Sequence, residues 1–169
     1  SADGTTVAVG APLNDDNATS SGAVYLMIDP DRTGVHSVED AADTILRGPN
    51  ATDRIGESLT GNIDMDNDGI SDLVIGSPEV NIDTPSHGKA FLVYGPITDL
   101  ESGELGAEFG LEDGSFTGEH IRDQAGQVLL GGHDWTGDSI KDLAVTAPGI
   151  GSMGGVDDAG GVFVLFGRG

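Results

Sequence analysis

Four aspartates crowd into nine residues of the segment DMDNDGISD, which begins at residue 64. They stand at positions 1, 3, 5 and 9 of that segment and are Asp64, Asp66, Asp68 and Asp72. Calcium takes about six to eight hard oxygen ligands, and alternate residues of a tight loop point their carboxylates toward one centre. Gly69 at position 6 lets the chain bend with a positive φ, and the backbone carbonyl of Ile70 can turn toward the same centre. The spacing therefore predicts a divalent-cation site.

The flanks of this segment decide what kind of calcium loop it is. A helix–loop–helix calcium motif requires Glu at position 12, where this chain has Ile75. The residues that follow Asp72, LVIGSP, favour a strand, and Pro78 would break a helix. The loop is therefore expected to join two strands. The alternative is an acidic turn without an ion, in which the neighbouring carboxylates would raise one another's pKa values.

A second acidic segment, DWTGDSIKD, begins at Asp134 and has Asp138 and Asp142 at positions 5 and 9. Thr136 stands at position 3 and offers a hydroxyl, or a water held by it, in place of a carboxylate. Ser139 stands at position 6, where a bent backbone costs about 1 kcal/mol more than it does with glycine. The second segment is therefore expected to bind a cation more weakly than the first.

The apolar segments that surround these loops are short, rich in Val, Ile, Leu and aromatic residues, and bounded by Gly, Pro and Asp. No long segment has a convincing 3.6-residue apolar period, so the chain is predicted to be all-β, with 35–46 as its best helix candidate. The predicted strands are 6–12, 22–28, 72–78, 88–96, 142–148 and 160–167. Before the first strand only an Asp3–Gly4 turn remains, which predicts a plain hairpin turn without metal.

The strand-like runs recur at a nearly fixed interval. The prolines that end three similar runs are Pro12, Pro78 and Pro148, at intervals of 66 and 70 residues. A further segment, 44–64, matches 114–134. A recurring unit of about four strands indicates stacked modules, and radial stacking of four-stranded antiparallel sheets is a β-propeller.

The matches also order the strands within a unit. The first strand lies near 55–62 and 125–131, two apolar runs supply the second and third, and the fourth lies near 44–48 and 114–119. The chain thus opens at the second strand of one blade, contains one whole blade and closes on the third strand of another. Residues 1–169 are interpreted as a single domain. Its units are, roughly, 1–48, 49–119 and 120–169.

A unit with a D-x-D-x-D-G-x-x-D loop, then LVIGSP or VAVGAP, then a G-x-V-[YF] run resembles the FG-GAP repeat. That repeat builds the seven-bladed propeller of integrin α subunits and of many bacterial and archaeal surface proteins. The likeness covers nearly the whole chain as about three copies. VGAP at 9–12 has the family motif intact, IGSP at 75–78 is close to it, and VTAP at 145–148 has lost its glycine.

The Phe-Gly element of the family is replaced by Ile55–Gly56 and Ala125–Gly126. In the family, the carboxylate loop joins the first and second strands of a blade and holds Ca²⁺. The ligands that the resemblance implies are Asp64, Asp66, Asp68, Ile70 and Asp72 in the first loop and Asp134, Thr136, Asp138, Ile140 and Asp142 in the second.

About three units do not easily close a ring, because propellers use four to eight blades. The chain is therefore interpreted either as a piece of a longer propeller, with Ser1 the start of a cut fragment or mature product, or as one of two copies that approach six blades together. Unpaired sheet edges invite pairing with another chain, which favours self-association. The connection at 98–114 is predicted to be an acidic surface loop.

The charge of the chain limits its partners. It has 29 Asp and Glu against 7 Lys and Arg, a net charge of −22, so nucleic acid and anionic lipid are poor partners. This acidity suits a very salty medium, as in a halophilic prokaryote, or else a secreted protein whose bound calcium offsets part of the charge. The chain has no Cys and no apolar run of about 20 residues, so neither disulfides nor membrane insertion is expected. The two NAT sequences make Asn17 and Asn50 candidate N-glycosylation acceptors.

No catalytic arrangement stands out in the sequence. It contains no G-x-S-x-G, and acidic residues are so frequent that no glycosidase-like pair can be singled out. Tyr25 and Trp135 are candidate sugar-stacking platforms but are expected to be packing residues. The leading hypothesis is a noncatalytic, calcium-binding, integrin-α-like module for extracellular adhesion, with a protein or glycan ligand at the cell surface. The alternatives are a structural repeat of a surface layer or filament, and a hydrolase or lyase on a propeller scaffold.

Overall fold

The computed structural model describes residues 6–28, 37–79, 87–106, 111–151 and 159–169. Within these ranges almost all regular structure is strand, as the short β-branched runs predict. The strands are β1 (Thr6–Ala11), β2 (Ala23–Ile28), β3 (Thr44–Arg47), β4 (Ser58–Ile63), β5 (Asp72–Ser77), β6 (Lys89–Val93), β7 (Gly103–Glu104), β8 (Gly114–Thr117), β9 (Leu129–His133), β10 (Asp142–Ala147) and β11 (Gly161–Leu165). A short helix, α1 (Val38–Ala41), and a 3-10 turn (Ile97–Asp99) complete the set. No helix among the described residues is long and apolar enough to span a bilayer.

The strands form three sheets, which we call the first, second and third sheet. The first has the order β1-β2-β3-β7, the second β4-β5-β6-β8, and the third β11-β10-β9. The second sheet is antiparallel throughout and is one complete four-stranded blade. The first sheet begins at the second strand of a blade and the third sheet holds the first three strands of another. The predicted all-β fold of propeller blades is confirmed, and the described residues close no ring.

Two predicted elements differ from the structure. The helix candidate at 35–46 is too long, because the described part of it is helical only over Val38–Ala41 and Thr44–Arg47 is a strand. Ser37 caps this single turn by accepting the Asp40 N–H at 3.1 Å. The predicted loop at 98–114 is wrong in part, since Gly103–Glu104 adds a short parallel strand beside β3. The β-branched Thr44 and Ile45, rather than the acidic residues before them, set the local structure.

The hydrophobic core lies between the faces of adjacent sheets. Every residue of β5 is buried, because this strand is covered on both of its faces. Leu73 and Ile75 pack toward the first sheet with Leu26, whereas Val74 packs toward the third sheet with Val145. Burying each such side chain stabilises the fold by about 1.5–3 kcal/mol. The stacked sheets therefore stabilise one another and hold the loops at their ends.

The backbones of neighbouring sheets approach closely at two glycines. A Cβ atom added to Gly10 would overlap the carbonyl oxygen of Gly56, and one added to Gly76 would overlap that of Gly126. The hydroxyl of Ser58 also donates to the Gly126 carbonyl oxygen at 2.7 Å. The glycine of the GAP motif is thus required because the turn that opens the next blade rests directly on it.

The third sheet leaves one face uncovered within the described residues. Phe163 points toward the second sheet, where its ring centroid lies 4.7 Å from that of Phe116. The side chains on the opposite face remain 45–63% exposed. They are Val128, Leu130, Val162, Val164 and, just after β11, Phe166. We call this set the outer apolar face.

Candidate metal centre

The first acidic loop joins β4 to β5 within one antiparallel sheet, so it is a strand–loop–strand site as predicted. The β4–β5 register shifts between Thr60 and Ile63, and Asn62 there has a φ of 57°. Such a bulge turns the end of a strand and re-aims the side chains beyond it. Asp72 is the first residue of β5 and pairs with Ile63, which places its carboxylate at the base of the loop.

Three of the predicted ligands come together. Asp64, Asp66 and Asp72 each offer a carboxylate oxygen, and these oxygens all lie within 4.8 Å of one another. A calcium ion bound at about 2.3–2.6 Å from each ligand separates ligand oxygens on opposite sides by roughly twice that distance. The three carboxylates therefore fit one coordination sphere of this size.

Asp68 is placed differently from these three. It is exposed, its Oδ1 accepts the Ile70 N–H at 2.7 Å, and its own N–H donates to Asp64 Oδ1 at 3.1 Å. These bonds use the carboxylate of Asp68 to hold the loop backbone. The grouping of three does not include Asp68, so its part in a metal shell, like that of the Ile70 carbonyl, remains a proposal.

Asp72 is the buried member of the group, with 2% of its surface exposed. Its Oδ2 accepts the Met65 N–H at 2.7 Å and its Oδ1 accepts the Gly95 N–H at 3.0 Å. Burial raises the pKa of Asp72, the two backbone hydrogen bonds oppose that shift, and the charges of Asp66 and Asp64 add to it. A bound cation would offset the cost of keeping this carboxylate ionised.

The bend of the first loop follows the prediction. Gly69 has a φ of +86°, and its N–H donates to Asp64 Oδ2 at 3.0 Å. Asn67 also adopts a positive φ, of 59°. The left-handed conformation turns successive N–H groups inward, where the Asp64 carboxylate accepts them. The loop is thus held in shape by its own carboxylates.

The second acidic loop, between β9 and β10, repeats this framework. Asp134 accepts the Gly137 N–H at 2.6 Å and the Ser139 N–H at 2.8 Å, and these bonds lower its pKa. Asp138 accepts the Ile140 N–H at 2.9 Å, as Asp68 does in the first loop. Ser139 has a φ of 73°, which is the backbone bend predicted to be strained without glycine.

Asp142 closes the second loop as Asp72 closes the first. It is fully buried, and it accepts the Trp135 N–H at 2.7 Å and the Gly167 N–H at 3.1 Å. Thr136 stands where the first loop has Asp66, and its hydroxyl donates to Asp134 at 3.2 Å. Within the described ranges, no other set of three acidic or histidine side chains is grouped as closely as that of the first loop.

The ion pairs of the described residues lie away from both acidic loops. The ion pairs among the described residues join Arg47 to Asp16, Arg54 to Glu57, and His120 to Asp123 when the histidine is protonated. None of them involves an aspartate of either acidic loop. Within this part of the chain, the loop carboxylates accept hydrogen bonds from backbone N–H groups and, at Asp134, from the Thr136 hydroxyl, and they form no ion pair with Lys or Arg.

The sequence analysis missed two buried aspartates that shape the turns between blades. Asp53 and Asp123 lie 0% and 1% exposed. Asp53 accepts the Asn50 N–H at 2.9 Å, and Asp123 accepts the His120 N–H at 2.7 Å. They occupy the same position in the matching segments 44–64 and 114–134. This repeated position could have identified both aspartates from the sequence. Both support the turn that rests on the preceding sheet.

The two aromatic candidates differ in their exposure to solvent. Tyr25 is 3% exposed and its hydroxyl accepts a hydrogen bond from Asn14 at 3.1 Å, so it is a packing residue. Trp135 is 46% exposed and stacks on His133, with ring centroids 5.7 Å apart. The predicted metal-free turn at residues 3–4 lies outside the described residues.

Comparisons with known proteins agree with this architecture. A family model described as the FG-GAP repeat matches residues 1–27. Integrin alpha-PS5 of Drosophila melanogaster is 34% identical over 150 residues, and Integrin alpha-5 of Xenopus laevis is 29% identical over 154 residues. The alignments cover 86% and 84% of this chain but 13% of each relative, so the chain spans a small part of their length. With its repeated sheets and their glycine contacts, the chain belongs to the FG-GAP repeat family.

Proposed function

We propose that the chain is a calcium-stabilised, integrin-α-like binding module that acts outside the cell. The observation that carries this proposal is the meeting of Asp64, Asp66 and Asp72 at one point of a strand–loop–strand turn. In the occupied first loop, Asp68 and the backbone carbonyl of Ile70 complete the protein ligands. The second loop binds more weakly, through Asp134, Thr136, Asp138, Ile140 and Asp142.

The role of the ion is structural. It supplies positive charge to carboxylates whose described partners are backbone N–H groups, and it thereby favours the ionised form of the buried Asp72. Because Asp72 also binds the backbone after β6, through Gly95, an ordered first loop fixes one end of the second sheet. Loops at the ends of such sheets are then held in place for a ligand.

The partner we propose is a protein or glycan at a cell surface. The integrin α relatives support an extracellular place, and the net charge of −22 disfavours nucleic acid. Glycosylation would replace one of the two Asn17 amide hydrogens, which donate to Glu104 at 2.7 Å and to the Gly48 carbonyl oxygen at 3.3 Å. Adaptation to a very salty medium is the other explanation that we propose for the net charge of −22.

A second candidate function is a structural repeat that self-associates in a surface layer or filament. The observation that favours it is the edge strand β11, which pairs only with β10 among the described strands. An unpaired strand edge is a template for another chain. We propose no catalytic role. Hydrolase or lyase turnover that persists after alanine replacement of every loop aspartate would contradict that view.

Calorimetric titration of the full chain with calcium tests the metal proposal. We expect one tighter and one weaker site, and Asp66→Asn should weaken the tighter site at least tenfold. Glu101→Gln is the matched control, because it removes the same charge from an exposed position outside both loops. Equal affinities for the two variants, or no heat of binding, would contradict the proposal. Screens against matrix proteins and glycans, with calcium and with chelator, then test the ligand.

A further inference from the structure

A chain of backbone hydrogen bonds connects the buried aspartates of the two loops. The Met65 N–H donates to Asp72 at 2.7 Å, and the Met65 carbonyl oxygen accepts the Arg168 N–H at 2.7 Å. The neighbouring Gly167 N–H donates to Asp142 at 3.1 Å. The segment 167–168 therefore lies between the first loop in the second sheet and the second loop in the third sheet.

Four of the five residues in this chain of bonds are shielded from water, and Arg168 is exposed. Asp72 is 2% exposed, Met65 8% and Asp142 0%, and Gly167 is buried. Gly167 also has no room for a side chain, because a Cβ atom would overlap the Lys141 carbonyl oxygen. Hydrogen bonds in such surroundings are stronger than exposed ones, and breaking one leaves a buried group without a partner. The segment is thus held firmly against both loops.

The second sheet has no backbone donor at the corresponding place. In the second sheet the residue that donates to the buried aspartate is Gly95, and the next residue is Pro96, which has no N–H. In the third sheet the corresponding pair is Gly167 and Arg168, and the Arg168 N–H reaches the first loop. Arg168 thus provides a backbone donor at the place where the second sheet has a proline.

We propose that the two acidic loops form one coupled unit through segment 167–168, so that ordering of the first loop by a divalent cation also orders the second. This inference rests on the proposed calcium binding. A cation among Asp64, Asp66 and Asp72 fixes the Met65 peptide groups, these hold Arg168, and Gly167 holds Asp142. Coupling of this kind is reciprocal, so an ordered second loop raises the calcium affinity of the first.

The test uses Arg168→Pro, which removes the donor N–H, and Arg168→Ala, which keeps it. Both are placed in an Asp138→Asn background, so that calcium occupies the first loop alone while Asp142 keeps its bond to Gly167. Hydrogen exchange of the Gly167 and Trp135 amides reports on the second loop. We expect calcium to slow both at least fivefold in the background chain and in Arg168→Ala, and to leave them unchanged in Arg168→Pro.

The outcomes separate the two proposals. Calcium binding to the first loop with equal protection in the alanine and proline variants overturns the coupling and leaves the proposed function standing. A chain that binds no calcium overturns the proposed function and the coupling together. If Arg168→Pro does not fold, Asp134→Asn tests the link from the other side. This variant should weaken calcium binding at the first loop at least threefold, and an unchanged affinity there overturns the coupling.

Discussion

Gly95 donates its N–H to Asp72 Oδ1 at 3.0 Å, which joins the end of β6 to the base of the first acidic loop. The other oxygen of the same carboxylate accepts the Met65 N–H at 2.7 Å. One buried side chain therefore closes its own loop and connects that loop to the next strand of the sheet. The Asp72 side chain therefore contributes to the stability of the fold even without a bound ligand.

Replacement of Asp72 by alanine should therefore destabilise the chain even without metal. The buried Met65 N–H and the part-buried Gly95 N–H would lose their acceptor, at up to about 1–3 kcal/mol each, and relief of repulsion from Asp64 and Asp66 offsets part of that cost. We expect a net loss of about 2 kcal/mol, measured by urea unfolding in metal-free buffer. Glu101→Ala, at an exposed position, should change the free energy of unfolding by less than about 0.5 kcal/mol. Equal stability of the two variants would contradict this account of Asp72.

The pH dependence of calcium binding should follow Asp72. Its folded pKa is raised above 3.8, mainly by burial, and calcium binds the ionised form. Affinity is therefore expected to fall as the pH drops through that raised pKa. Titrations across this pH range measure the effect, and Asp72→Asn should have a flatter dependence.

In the metal-free protein, the contribution of Asp72 to folding stability should have the opposite pH dependence and fall as the pH rises. Because the folded state holds the Asp72 proton more tightly than the unfolded chain does, this group contributes stability that is fully present below about pH 3.8. That stability is lost as the pH rises through the raised folded pKa. The comparison is the difference in unfolding free energy between the parent and Asp72→Asn at each pH. A difference that does not vary with pH would show that burial does not perturb this carboxyl.

Gly76→Ala should loosen the contact between the second and third sheets. The new methyl group would overlap the Ser58 hydroxyl and the Gly126 carbonyl oxygen, and overpacking of this kind costs about 1–3 kcal/mol. Gly61→Ala is the control in the same sheet, because its Cβ would meet nothing nearer than 3.8 Å. Thermal unfolding should show a lowered midpoint for the first variant alone. Similar midpoints would mean that the sheets tolerate a wider spacing.

Exchanging glycine and serine between the two loops should have opposite effects. Ser139 and Gly69 both have positive φ, of 73° and +86°, where a side chain costs about 1 kcal/mol. Ser139→Gly is therefore expected to stabilise the chain slightly and Gly69→Ser to destabilise it. Chemical denaturation of both variants measures the two signs. A loss of stability in both would show that the Ser139 side chain makes a contact worth more than the strain.

Much of the site could be predicted from local sequence. The alternating aspartates, the bend at Gly69 and the strand that starts at Asp72 are all specified within about ten residues, so spacing and turn chemistry were sufficient. The order of strands in each blade could also be predicted, because the repeat matches each strand of one unit with the same strand of the next. The limits of individual strands were less certain, and the first strand of the whole blade begins at Ser58 rather than near residue 55.

The features that sequence analysis missed depend on contacts between distant residues. Arg168 meets Met65 across more than one repeat unit, and no local pattern marks either residue. Asp68 is a local exception: it has the same spacing as its neighbours, but its carboxylate accepts the nearby Ile70 N–H and is not in the group of three. Strand β7 comprises two residues beside β3, too short for any periodicity to indicate.

Thr146 stands where the first two sheets have Gly10 and Gly76, on the side where the next blade would rest. Its hydroxyl accepts the Val128 N–H at 2.9 Å, so the side chain is fixed at the place that a neighbouring turn would occupy. A blade laid against this face must stand further away than the second sheet stands from the third. In a ring built from such blades, the step across the face of Thr146 would be wider than the steps across Gly10 and Gly76.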